Sequence, residues 1–329
     1  MKKLIYIVLL AILPFWAQAQ IGMSIQNNTI PPAFVSTWDT NNINTVGDPT
    51  NQIILPLMTS GSYAFVVDWG DGSTSVVTNT NMSTNATRVY GVSGIYTLTI
   101  TGRILGWLML SSESKKITEI SQWGTLKAGA LGFFNCENLL ISASDALDLE
   151  ANLSQMFQGC SSLVSLDASN WDTSSVTNFR YMFNGCSSLV NLNVSDWDVG
   201  SLQSAHYAFY NSPMISALNI ASWKNKNSNS ITNFTAMFRG CSSLTTLDVR
   251  GWDVSSGTNF IDFAFGVTIP TAIYDQTLVN WEALNLQPGA SQEIDFGNSK
   301  YTAGSAAETA RANIIANDGW AISDGGSTP

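Results

Sequence analysis

A single histidine, His206, limits the acid–base chemistry open to this chain of 329 residues. Histidine is the side chain whose ordinary pKa falls in the physiological range, and a serine or cysteine nucleophile needs such a base within hydrogen-bonding reach. The cysteines, Cys136, Cys160, Cys186 and Cys241, all occupy one position of a repeated unit, among apolar neighbours. That placement predicts inert buried thiols rather than nucleophiles. The equivalents of His206 in other units are Arg180, Thr235 and Ile261, so it stands at a variable, solvent-facing position. No phosphate-cradling glycine loop and no zinc-ligand spacing occurs. The expectation is a non-enzyme without catalytic residue, cofactor or metal.

Two kinds of column carry binding chemistry instead. Asp167 and Asp248, with Asn193 and Asn219 between them, form one acidic column, and Asp172, Asp198 and Asp253 form another, interrupted by Lys224. Stacked carboxylates suit Ca²⁺, and they equally suit the capping of backbone N–H groups at turns. Lys224 would repel a cation, which favours capping. Trp171, Trp197, Trp223 and Trp252 form the third column. Exposed, these rings would stack on sugars; buried, they would pack on one another, and their fixed spacing within the apolar set predicts packing.

The elements that must position these residues are internal repeats. Cys160 and Cys186 are 26 residues apart; the next 26 reaches Ser212, a cysteine-sized polar substitute, and Cys241 follows after 29. Cys136 opens a degenerate earlier copy. Leu163, Leu189, Ile215 and Leu244 recur three positions after the cysteine site, and Leu166, Leu192, Leu218 and Leu247 recur six after. Val176, Phe179, Met182, Phe183 and Cys186 fall on one face of a short helix. A short strand plus such a helix cannot bury these faces alone, so stacked copies are expected to form a solenoid with ladders of Leu, Trp, Met-Phe and Cys. In that register only one neighbouring disulfide, Cys136–Cys160 or Cys160–Cys186, is within the Cα limit of about 7 Å, and buried free thiols are the preferred reading.

The segments 156–171, 182–198 and 237–253, with their MF-x-GCSSL and W-D motifs, resemble the BspA-type leucine-rich repeats of bacterial surface proteins. The resemblance implies a secreted or surface-exposed, adhesion-type protein. Upstream, Asp68-Trp69-Gly70-Asp71-Gly72, then Tyr90, Gly94 and Tyr96 in a strand-rich context, resemble a PKD-type immunoglobulin-like domain, with Arg88 standing where that family usually has histidine. The expected fold class is α+β multidomain: an N-terminal β-sandwich, a short leucine-rich-repeat-type solenoid with a strand and a helix per repeat of about 26 residues, and a helical C-terminal cap. Boundaries follow at 1–19 (signal peptide), 20–32 (linker), 33–103 (PKD-like β-sandwich), 104–130 (bridge and solenoid start), 131–268 (repeats) and 269–329 (cap). Within the cap, residues 274–284 carry helical spacing, and Ser305 with Glu308 opens a second helix as a capping box.

Lys2-Lys3, the apolar run 4–13 and Ala17-Gln18-Ala19 make an export signal, and no later stretch is apolar enough to span a bilayer. Charged residues are only 12 % of the chain, with Lys+Arg 14 against Asp+Glu 24 for a formal net charge of −10. An acidic chain without a basic cluster is a poor match for nucleic acid. The expected role is non-catalytic binding of an extracellular protein or glycoprotein on the exposed face of the repeats. A carbohydrate-binding module and a structural spacer or fibre component are the alternatives.

Overall fold

The computed structural model describes residues 32–43, 47–110, 112–221, 223, 231–288 and 293–328. The expected signal peptide, the linker up to residue 31 and Lys224 lie outside the described residues. The chain enters on β1 (Phe34–Asp39), whose alternation buries Phe34, Ser36 and Trp38 on one face. The Trp38 indole donates to Ser36 Oγ at 2.9 Å, which satisfies both buried polar groups. β2 (Gln52–Ile54) lies apart from the main sheet. β3 (Leu57–Asp68) and β4 (Thr74–Thr78) form a hairpin around the Asp71-Gly72 turn. A single helical turn, α1 (Met82–Asn85), leads to β5 (Thr87–Val89), which pairs antiparallel with β2. β6 (Ile95–Trp107), β7 (Ile117–Gln122), β8 (Leu126–Ala128), β9 (Leu140–Ile141) and β10 (Asp148–Leu149) follow.

These strands do not make the self-contained β-sandwich expected from the sequence. They form one eight-stranded mixed sheet, ordered β10-β8-β6-β1-β7-β9, with β3 and β4 on the other edge of β6. The length of β6 is the cause. Its Ile95–Ile100 half pairs antiparallel with β1, and its Ile104 and Leu105 then pair in parallel with β8. Gly102 allows the change of course: its φ is +127°, and a Cβ there would stand 2.3 Å from the Ala64 carbonyl oxygen. β7 likewise passes to β9 in parallel, so the sheet runs directly into the first repeat-like segment.

The strand-plus-helix solenoid is also corrected. Among the described residues of 131–268 there is no α-helix; the repeats are hydrogen-bonded turns joined by very short strands and single bridges. β11 (Ser165–Asp167) and β12 (Asn191–Asn193) pair in parallel, and a further bridge joins Asn191 to Ala217. Helix is excluded because each repeat places two left-handed residues four positions apart: Gln155 and Gly159, Tyr181 and Gly185, Tyr207 and Asn211, Ala236 and Gly240, Asp262 and Gly266. A right-handed helix cannot continue through such residues. The backbone alternates its hydrogen bonds instead. Phe179, Tyr181, Phe183 and Gly185 donate to the carbonyls of Ser204, His206, Ala208 and Tyr210 in the next repeat, while Met182, Asn184 and Cys186 donate three residues back within their own. The helical spacing of Val176, Phe179, Met182, Phe183 and Cys186 thus arises from consecutive tight turns.

The C-terminal segment is not a purely helical cap. Two helices, α2 (Thr271–Glu282) and α3 (Ala306–Asp318), are interleaved with β13 (Glu293–Asp295), β14 (Tyr301–Thr302), β15 (Ala321–Ser323) and β16 (Ser327–Thr328). β13 pairs with β15 and β14 with β16, both in parallel. Ser305 caps α3 by accepting from the Ala307 amide, and Gly319 ends it at φ 73°. Trp281 of α2 is buried and donates to the Val249 carbonyl. The buried apolar residues from Phe34 to Trp320 form one contiguous core. Among the described residues, no helix is long and apolar enough to cross a membrane.

Candidate functional site

The ladder residues singled out in the sequence are interior. Trp171, Trp197, Trp223 and Trp252 are 2–5 % exposed and stack at 5.8–6.3 Å with interplanar angles of 7–18°. No ring face is left for a sugar. Trp197, Trp223 and Trp252 donate from Nε1 to the carbonyls of Ala168, Val194 and Ile220, one repeat earlier. Leu166, Leu192, Leu218 and Leu247 are buried beside them. Phe133, Phe157, Phe183, Phe209 and Phe238 form a parallel column at 5.5–5.8 Å.

The four cysteines are free and buried, and three of them do more than fill space. The thiols of Cys160, Cys186 and Cys241 donate to the carbonyls of Phe133, Phe157 and Phe209 at 3.0–3.1 Å. Ser212 makes the same bond with its hydroxyl, to Phe183 at 2.7 Å, which explains serine at a cysteine position. Cys136, in the degenerate copy, sits 3.9 Å from the Phe134 carbonyl. Burial pushes all four thiols up in pKa, Cys186 and Cys241 to about 12 from 9.0. A raised folded pKa contributes stability that is complete below the unfolded value and is lost as pH rises towards the folded one. Stability is therefore expected to fall from pH 9 towards about 12. Melting curves across this window test it, with Cys186→Ser expected to flatten the slope because its hydroxyl does not titrate. A thiol reagent should label no cysteine in the native protein at neutral pH and all four after denaturation.

The aspartate columns close turns. Asp167 accepts from the Ser169 hydroxyl and amide and from Asn193, Asp172 from Ser174, Asp198 from the Gly200 amide, and Asp253 from the Ser255 amide. Asp248 is paired with Arg250. Hydrogen bonds from Ser169, Ser174 and Arg250 hold Asp167, Asp172 and Asp248 below the usual carboxylate range. Among the described residues no three metal-ligating side chains come together.

The upstream motif is likewise a closed turn. Asp68 accepts from the Gly70 amide, and Asp71 accepts from Ser73 and from Arg88, with which it forms an ion pair at 2.5 Å. Burial raises the Asp71 pKa, but the bonds from Ser73 and Arg88 outweigh it and the net shift is downward. Trp69 is buried; Tyr90 donates to its carbonyl and stacks on Tyr96 at 3.6 Å. Gly70 and Gly72 supply the positive φ of the turn, and Gly94 bonds to Thr40. These side chains are committed to one another.

What the repeats leave outward is a face of three positions beside each Met-Phe pair or its equivalent, Ala208-Phe209 and Phe263-Ala264. The first holds Ser154, Arg180, His206, Thr235 and Ile261; the second Gln155, Tyr181, Tyr207, Ala236 and Asp262; the third Gln158, Asn184, Tyr210, Arg239 and Phe265. All are exposed or half-buried except Ala236. The backbone beneath them is a regular hydrogen-bonded ladder, yet their chemistry does not repeat. Tyr181 and Tyr207 stack at 4.7 Å, Tyr210 meets Tyr207 edge-on at 5.4 Å, and the Arg180 guanidinium lies 5.0 Å above the Tyr181 ring. His206 Nδ1 lies 2.6 Å from Ser204 Oγ. Partial burial, then the nearby Arg180 charge, lowers the imidazole pKa, which favours the neutral ring. Sequence reasoning noted the variability at His206 and missed the tyrosines, because the helix assignment concealed which neighbours share a face. The signal was present as the non-repeating positions around a buried pair that is Met-Phe in three repeats and Ala208-Phe209 or Phe263-Ala264 in the others.

Residues 149–281 match a family model described as Mycoplasma protein of unknown function, DUF285. The match spans most of the repeats and reaches into α2. It replaces the resemblances to BspA-type leucine-rich repeats and to a PKD-type domain, neither of which is the family found. No curated protein matches the chain.

Proposed function

We propose that this is a secreted or surface-associated, non-catalytic binding protein that holds an extracellular protein partner on the outward face of its repeats. The observation that carries the reading is that face: one backbone geometry, repeated by inter-repeat hydrogen bonds, displays side chains that differ from repeat to repeat. Repetition of the scaffold serves packing, whereas non-repetition of the outward residues has no packing explanation and suits recognition. The apolar run after Lys2-Lys3 and the small residues at 17 and 19 support export. The burial of the tryptophans disfavours a sugar-binding stripe.

The test is a binding screen of the purified chain on immobilised extracellular-matrix proteins and polysaccharides. Saturable binding to a protein, weakened by substitutions on the outward face and unaffected by substitutions on the Asp172–Asp253 side, is the expected result. Binding to polysaccharide alone, or to protein through residues off this face, would sink the proposal.

A further inference from the structure

We infer that Arg180, Tyr181, His206, Tyr207 and Tyr210 form a docking ledge for a carboxylate-rich polypeptide segment, with Arg180 as its anchor. This rests on the binding-face reading and names the chemistry of its partner. Arg180 is exposed, and among the described residues it takes part in none of the ion pairs, although acids outnumber bases in the chain. Its guanidinium is held over the Tyr181 ring, so little freedom is lost when its planar fork meets a carboxylate. The other arginine on the face, Arg239, is already paired with Asp262, the one acid at these positions. Repulsion from acids elsewhere is screened over a Debye length of about 8 Å at physiological salt.

Two departures from the repeat pattern mark the ledge as built. At the first, Asn152, Asn178, Asn233 and Asn259 each accept from the backbone amide two residues on. Ser204 holds the equivalent place, and its hydroxyl engages the His206 ring instead, fixing the imidazole beside Tyr181 and Tyr207 at 5.9 and 5.8 Å. With Nδ1 engaged, Nε2 is the ring atom left for a partner. The second departure is in the side chains: the left-handed position that carries Gln155, Ala236 and Asp262 in other repeats carries tyrosine at two successive ones, Tyr181 and Tyr207, whose half-buried rings stack at 4.7 Å.

A polypeptide suits the ledge better than an acidic polysaccharide. A sugar ring needs a free aromatic face, and these faces are engaged in the Tyr181–Tyr207 stack, the Arg180 contact and the Tyr210 edge. Guanidinium N–H groups, phenol hydroxyls without a hydrogen bond to any described residue, and an imidazole nitrogen remain. All can bond carboxylate oxygens.

The experiment titrates the full chain with a fluorescent oligoglutamate peptide, an oligoglutamine peptide of equal length, and polygalacturonate. Saturable binding of oligoglutamate alone is expected, weakened about 10- to 100-fold by Arg180→Ala, the value of a charge-assisted bond. Tyr181→Asn/Tyr207→Asn is the second variant. It should lose binding while melting at the same temperature or higher, an outcome that a structural role for the tyrosines would reverse. Equal binding of both peptides, no saturable binding, indifference to Arg180→Ala, or tighter binding of polygalacturonate through Arg180 would each overturn the inference. Should oligoglutamate fail while a protein from the screen still depends on other residues of the face, the ledge falls and the binding-face reading survives.

Discussion

Replacing Trp197 with alanine is expected to cost about 3–5 kcal/mol, the range for removing a large aromatic side chain from a core. Trp197 is 3 % exposed. It stacks between Trp171 and Trp223, packs against Phe179 at 4.9 Å, and donates to the Ala168 carbonyl at 2.8 Å. The cavity would open between two repeats whose rings are held by their neighbours, so collapse around it is restricted. Urea denaturation followed by circular dichroism gives the change in stability; a loss below about 1 kcal/mol would mean that the column is not structural. A finer comparison isolates the hydrogen bond. Trp171 is the first ring of the column, and its indole N–H has no partner. Trp171→Phe should therefore cost about 1 kcal/mol less than Trp197→Phe, the net worth of one such bond.

The second large effect concerns a buried charge pair outside the repeats, in the segment before β7. The side chains of Lys116 and Glu113 are 0 % and 2 % exposed and 2.9 Å apart. Lys116 Nζ also donates to the Gln52 carbonyl, and Glu113 accepts from the Ile54 amide. The pair ties the segment before β7 to β2, which lies outside the main sheet. Lys116→Met is expected to destabilise by about 3–5 kcal/mol, because it strands a carboxylate in the interior. Adding Glu113→Gln should return most of that loss, since desolvating the two charges offsets much of their attraction. A double-mutant cycle measured by thermal or urea unfolding checks this; additive losses would show that the two charges are not coupled.

The helix assignment shows where sequence reading stopped. Phe179, Met182, Phe183 and Cys186 lie at helical spacing, and all are buried. A run of three-residue turns buries one face at nearly the same spacing, so periodicity does not separate the two. The separating signal is the left-handed pair at Tyr181 and Gly185. Glycine in GCSS hints at half of it, and tyrosine conceals the other half. The upstream strands were visible through alternation and the Asp71-Gly72 turn. Their sheet was not, because the parallel pairings of β8 and β9 join segments with no local pattern in common.

The sequence by itself determined the repeat register, the identity of the ladder residues and the turn chemistry of the aspartates, since each of these depends on residue type and spacing along the chain. The tertiary structure decided the rest. The alternation of hydrogen bonds within and between repeats replaces a helix with turns. The continuation of β6 past Gly102 joins the N-terminal strands to the repeats in one mixed sheet. The convergence of Arg180 and Tyr181 with His206, Tyr207 and Tyr210 makes a surface out of positions about 26 residues apart. All three depend on which backbone groups of distant segments find one another, and that is set by non-local hydrogen bonding and packing rather than by local propensity.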